Sequence, residues 1–220
     1  MGKRAARIYC AGPLFNDKER EEMAQVARAL EDAGFRTFLP QRDGLELTRC
    51  LDALTEKGFE KEQAADMLCE AIFALDVYQL LEGCHGIVVN LNGRVPDEGA
   101  VSEAAMAWTE GKAIVGYKAD GRSAFVGRDN PLVAGLFDFK MCHSVRELVP
   151  AMRIALSAAK SQEERKSRRR RQIECYLTLG ERLSAALQNK DKADSVARIL
   201  FEDARCKKMH QVEWHLPTAK

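Results

Sequence analysis

Gly86-Ile87-Val88-Val89-Asn90-Leu91 is followed, after a turn over 92–97, by Glu98-Gly99-Ala100-Val101-Ser102-Glu103-Ala104-Ala105-Met106-Ala107-Trp108 and then by Ala113-Ile114-Val115-Gly116-Tyr117. The first run is apolar without alternation, which is the mark of a strand covered on both faces. In the middle run Val101, Ala104, Ala105 and Trp108 recur at helical spacing and read as an inner stripe over 98–110. The third run is a second strand. A strand, a helix and a strand in this order form a parallel pair with a right-handed crossover.

The same alternation extends outward. Upstream, 7–11 (RIYCA) reads as a strand ended by Gly12-Pro13. Residues 17–33 read as a helix with Met23, Val26, Ala27 and Leu30 on one face, stopped at Gly34. Residues 36–39 form another strand, ended by Pro40. The stretch 43–59 shows no clean period and reads as a long loop with one helical turn at most, and a loop of that length is usually functional. A second long helix covers 62–81. Downstream, 120–131 is a polar loop and 136–141 holds a short fifth strand. The expected fold is α/β: a doubly wound, flavodoxin-like, five-stranded parallel sheet over residues 1–143. After Ser144 the texture changes to helices with an intervening basic run, 163–171, so residues 144–220 are expected to form a helical C-terminal extension.

Composition limits the partners. The 220 residues carry 34 Lys and Arg against 33 Asp and Glu, a net charge of +1. No global field draws the chain to nucleic acid or to a membrane, so neither is expected as a partner. The basic run lacks interleaved aromatics and reads as a solvated helix face or connector. No apolar run approaches the ~20 residues of a spanning helix, and 1–4 lead straight into a strand with no signal-peptide core, so a cytoplasmic location is expected. Seven cysteines, at 10, 50, 69, 84, 142, 175 and 206, include no CxxC pair. Cys206 and His210 have the spacing of one helix face but no further ligands nearby, and no metal is expected.

In parallel sheets of this kind ligands lie at the carboxyl ends of the strands. Polar residues gather there, and the segment from Asp97 to Glu103 stands out. Asp97 can cap the helix. Glu103 follows one and a half turns later, beside the inner stripe, where the helix N-terminus would keep its carboxylate ionised and available as a nucleophile. Spacing alone fits a capped helix with a solvated glutamate better. Asp76 stands at i+4 from Ile72 and i+3 from Phe73, a carboxylate on an apolar stripe. Desolvation there would suit it to proton transfer, and an internal ion pair explains the position equally well.

Four motifs in order change that balance. Ile8-Tyr9-Cys10-Ala11-Gly12-Pro13-Leu14-Phe15, Phe38-Leu39-Pro40-Gln41-Arg42-Asp43-Gly44, Asp97-x-Gly99-x-x-x-Glu103 and Asp129-Asn130-Pro131-Leu132 resemble motifs of the nucleoside 2-deoxyribosyltransferase family over about residues 7–141. The resemblance implies that Glu103 attacks C1′ of the sugar, that Tyr9 holds its carboxylate in line, and that Asp76 protonates the departing base. It implies that Asp97 and Asn130 take the sugar hydroxyls, Phe15 packs on the base, and Gln41 and Asp43 read its edge. Gly12, Gly99 and Leu132 complete the substrate surface. No metal or organic cofactor is implied. The partners would be a nucleoside and a free nucleobase, and the assembly a homodimer or higher homo-oligomer. Asp97 beside O5′ would disfavour a 5′-phosphate, whereas Arg94 nearby would favour one. Three functions follow: base exchange by a transferase; hydrolysis of the same bond in nucleosides or their 5′-monophosphates; and a non-catalytic nucleotide-binding module, which the set of Tyr9, Asp76, Asp97 and Glu103 opposes.

Overall fold

The structure is a computed structural model, and it describes residues 5–93, 95–121, 129–158, 161–188 and 191–208. Strand β1 (Arg7–Ala11) leads through α1 (Asp17–Asp32) to β2 (Arg36–Phe38). Three helices follow: α2 (Pro40–Asp43), α3 (Leu47–Glu56) and α4 (Lys61–Tyr78). A single π-helical turn, Gln79–Gly83, then enters β3 (Gly86–Asn90). After α5 (Glu98–Thr109) come β4 (Ala113–Tyr117), α6 (Pro131–Leu136), β5 (Met141–Cys142), α7 (Val145–Ser157), α8 (Gln162–Ala186) and α9 (Lys192–Lys208). All strands pair in parallel in the order β2-β1-β3-β4-β5, with Tyr9 opposite Phe38 on one side and Ile87 on the other. The chain therefore winds one way from β1 and the other way from β3, and the crevice of the doubly wound sheet lies between them.

Side chains of β1 and β3 alternate between two apolar layers, as the two-residue period requires. Ile8, Cys10 and Val88 pack with Met23, Val26, Ala27 and Leu30 of α1 and with Leu148 and Met152 of α7. Tyr9, Ala11, Ile87 and Val89 face the other way, onto Ala100, Ala104 and Ala107 of α5, with Leu80 and Phe137 beside them. Because α7 supplies part of the first layer, the first compact unit runs through Met1–Arg169, past the change of texture at residue 143. In the second unit, Arg170–Lys220, the described residues form the rest of α8 and α9, with an ion pair of Arg182 and Glu202.

Three local expectations are corrected. Within 43–59 the chain forms ten residues of helix, α3, which packs on α4, with Leu51 and Leu54 partly buried and Leu47 exposed. Residues 131–136 are helical and the fifth strand starts only at Met141: Asn130 accepts the Leu132 N–H and Pro131 occupies the first helical position. In α5 the buried stripe is Ala100, Ala104 and Ala107, one residue round from the expected one, which places Glu103 on it rather than beside it. None of the described helices is long and apolar enough to cross a membrane.

Candidate active site

Strand alternation turns Tyr9 away from α1 and toward α5, where its side chain is fully buried. Its hydroxyl donates to Glu103 Oε1 at 2.5 Å. Glu103 reaches it because 100, 103, 104 and 107 share one helix face and the alanines let α5 lie close to the sheet. Asp76, carried at the end of α4 just before the π turn, lies close enough to the same hydroxyl for the two groups to influence each other's protonation. Asp76 does not arrive there on a buried apolar stripe. Phe73 is largely exposed, and α4 buries only Ala64 and Leu68. The π turn re-aims the chain as it passes from α4 into the sheet, a wide turn of the kind found at functional sites.

The three groups perturb one another. Burial pushes the Glu103 carboxyl up to about 7; the Tyr9 hydrogen bond holds it down, and the charges of Asp76 and Asp97 raise it further. Burial therefore works against the expected effect of the helix N-terminus on Glu103. Glu103 lies beyond the first turn, where the macrodipole has faded, and desolvation prevails. Burial also raises the Asp76 carboxyl above the usual carboxylate range, partly offset by the Tyr9 contact. Burial and the neighbouring carboxylates keep the Tyr9 phenol protonated far above its ordinary range, so it stays a donor. Two carboxyls with elevated affinity for protons around one phenol are the equipment of acid–base and nucleophilic chemistry.

Asp97 is the N-cap of α5, its Oδ1 accepting the Ala100 N–H at 2.7 Å, and Gly99 sits directly against that carboxylate. Gly12 ends β1 where a Cβ would stand 2.5 Å from Met23 Sδ and 2.9 Å from Asn90 Cβ, so only glycine fits between strand and helix. Around this floor lie apolar side chains in the open: Phe15 is 81% exposed and Leu132 84%. Asn130 caps α6 beside Leu132. At the end of β2, Gln41 donates to the Arg20 carbonyl at 2.8 Å, and Asp43 accepts from the Leu39 N–H and from Arg42, both at 2.9 Å. Burial disfavours the Asp43 charge, but Arg42 and the Leu39 amide hold its carboxyl below the usual range. The structure thus brings Tyr9, Asp76, Glu103 and Asp97 together, while Gln41 and Asp43 are bonded within their own corner. Arg94, and the Cys206 and His210 side chains, lie outside the described residues.

Sequence reasoning missed the residues that shape the floor. Asn92 Oδ1 accepts the N–H groups of Ala119 and Asp120 at 2.8 and 3.0 Å, while its amide donates to Glu22. It ties the end of β3 to β4 and α1. Lys118, 5% exposed at the end of β4, donates to the Leu91 carbonyl and pairs with Asp129 at 2.8 Å. That ion pair anchors the residue before Asn130. The available signal was Asn90 and Asn92 at the end of the most apolar strand, since buried polar groups need partners.

Two of the solved structures similar to this chain illustrate the likeness. A conserved protein from Enterococcus faecalis V583 shares 20% identity over 68% of this chain and 98% of its own, with a TM-score of 0.48. A 2-deoxyribosyltransferase from Bacillus psychrosaccharolyticus shares 17% over 66% of this chain and 90% of its own, also with a TM-score of 0.48. No curated protein matches the sequence significantly. The sequence profile of nucleoside 2-deoxyribosyltransferases matches residues 8–174, a span that holds Tyr9, Asp76, Asp97, Glu103 and the whole sheet. With more than half its length matched, the chain belongs to the nucleoside 2-deoxyribosyltransferase family.

Proposed function

We propose that this chain moves 2-deoxyribose from one nucleobase to another through a covalent intermediate on Glu103. The observation that carries this reading is the 2.5 Å hydrogen bond from Tyr9 to Glu103, with the Asp76 carboxyl close by. In the first displacement a Glu103 oxygen bonds to C1′ while the C1′–N bond breaks. Its electron pair leaves with the base, which takes a proton from Asp76. In the second displacement Asp76 removes a proton from the incoming base, whose nitrogen attacks C1′ and frees Glu103. Two displacements give net retention, as in retaining glycosidases. Asp97 and Asn130 would hold the sugar hydroxyls. Phe15 and Leu132 would cover the rings, with Gly12 and Gly99 permitting close approach and Gln41 and Asp43 meeting the base edge.

The test is product formation after mixing a deoxynucleoside with a different free base. A new deoxynucleoside supports transfer; release of free deoxyribose alone supports hydrolysis. The openness of the site around Phe15 and Leu132 favours hydrolysis as the second reading, since water reaches C1′ unless a base or another subunit covers it. The exposed Phe73 and Tyr78 on α4, the helix that carries Asp76, support assembly of the chain as a homo-oligomer. Sedimentation of the full chain tests that part separately.

A further inference from the structure

The basic run that the reaction leaves unexplained reaches into the fold. Gly111, at the bend between α5 and β4, has φ of +66°, and a Cβ there would lie 2.9 Å from the backbone of Arg165 and Lys166. The first turns of α8 therefore rest on that bend. Gln162 donates to the Glu110 carbonyl at 2.8 Å, and Lys166 pairs with the Glu110 carboxylate at 2.5 Å. One turn later Arg169 turns inward. Its guanidinium stacks 4.7 Å from the centroid of the Trp108 ring, and Nη1 lies 3.5 Å from Asp138 Oδ1. Only 9% of Arg169 is exposed, an unusual degree of burial for arginine.

Trp108 and Asp138 belong to the two elements to which the proposed function assigns the reacting sugar. Trp108 stands five residues after Glu103 on α5. Asp138 belongs to the turn that closes α6, whose first residues follow Asn130. That turn is held in an uncommon conformation: Asp138 and Phe139, neither of them glycine, have φ of +53° and +60°. Such a turn persists when its surroundings over-determine it. Arginine suits the task because its planar group stacks on an aromatic face while its edge pairs with a carboxylate, which lysine cannot do.

We propose that Arg169 is a positioning residue for the Glu103 site, clamping the carboxyl end of α5 to the turn that closes α6 and so holding Glu103 and Asn130 in one geometry. The inference rests on the roles given above to Glu103 and Asn130. Arg169→Ala, Arg169→Lys and Lys166→Ala are compared in the full chain. Lys166→Ala removes an ion pair on the same docking helix without touching the α6 turn. The readouts are thermal unfolding, the titration of Glu103 followed by carbon NMR, and the kcat and KM of base exchange.

Arg169→Ala should lower kcat tenfold or more with KM changed less than threefold, since small displacements of reacting groups carry such losses. Arg169→Lys should fall between it and the wild type. Lys166→Ala should stay within twofold even where its loss of Tm is similar. Glu103, which starts near 7, should titrate at least half a unit lower in Arg169→Ala as water enters, and unchanged in Lys166→Ala. A folded Arg169→Ala with wild-type titration and turnover overturns the clamp, and so does Lys166→Ala losing as much kcat. If Arg169→Ala does not fold, Asp138→Asn and Arg169→Lys carry the same comparison, and wild-type behaviour in both overturns it. If the wild type exchanges no base while the Glu103 titration still moves in Arg169→Ala, the clamp stands and the proposed function falls.

Discussion

Tyr9 and Glu103 are 94 residues apart in the chain and joined by one 2.5 Å hydrogen bond. The strand supplies the donor and the helix packed on it supplies the acceptor. The bond is the strongest force lowering the proton affinity of Glu103, against burial that raises it. Tyr9→Phe should therefore move Glu103 above 7. The rising limb of kcat/KM against pH should shift to higher pH, and activity at pH 7 should fall about tenfold or more. An unchanged pH profile would remove Tyr9 from the reaction.

Glu103→Gln should abolish turnover and stabilise the protein. The folded value of about 7 lies above the ~4.3 of an unfolded glutamate, so the native state holds an extra proton between the two. Stability from this group is fully present below about pH 4 and is lost as pH rises through 7. The amide carries no such loss. At pH 8 the variant should be more stable by up to about 4 kcal/mol, shrinking toward zero below pH 5. Urea unfolding at both pH values checks the trend, and a variant less stable at pH 8 contradicts it.

Asp76→Asn should slow exchange by about 10²–10⁴-fold with bases that need a proton to leave, and less with bases that leave as anions. Comparing a poor and a good leaving group on both proteins separates acid catalysis from a packing role. An equal loss with both would mean that Asp76 only supports the fold.

Asp97→Ser tests the sugar end. Serine still caps α5, so the substitution removes charge without removing the cap. Two unit charges at ~4 Å repel by about 4 kcal/mol at an effective dielectric of 20, an upper figure before screening. The wild type should thus prefer a deoxynucleoside to its 5′-monophosphate by tenfold or more, and Asp97→Ser should narrow or invert the gap. Losing the Asp97 charge should also lower the Glu103 value and shift the rising limb to lower pH. The kcat/KM ratio for the two substrates decides it; a wild type that already prefers the monophosphate would point to a nucleotide hydrolase.

Gly111→Ala should cost about 2 kcal/mol or more of stability in urea. The new methyl group meets both a left-handed backbone and the α8 backbone 2.9 Å away. A neutral substitution would mean that α8 does not rest on this bend in solution.

The sheet was legible because it obeys short-range rules, whereas Tyr9, Asp76 and Glu103 stood out together only through the family resemblance of their motifs. The two-residue period of 7–11 puts Tyr9 opposite Ile8 and Cys10, and the apolar run at 86–91 marks the central strand. Other features depend on partners distant in sequence. Helix α3 looks irregular when matched against a sheet, because it faces another helix. Asn92 draws its partners from α1 and from the end of β4, which no local pattern announces. A run of arginines does not say which one turns inward, and only docking on Gly111 selects Arg169. The proton affinity of Glu103 escaped for a quantitative reason: helix-end electrostatics fade within a turn, while desolvation does not.

The fully buried contacts of helix α5 on the sheet are the methyl groups of Ala100, Ala104 and Ala107, with the larger Val101 and Met106 only partly buried at their margin. Together the alanines act as a shim whose thickness matches the reach of a tyrosine ring. A larger side chain at any of them would push α5 from the sheet and Glu103 from the Tyr9 phenol. Phe15, Leu132 and the loops around them stand clear of that spacing. The rim of the site is therefore free to vary while the Tyr9–Glu103 pair stays set by a gap measured in methyl groups.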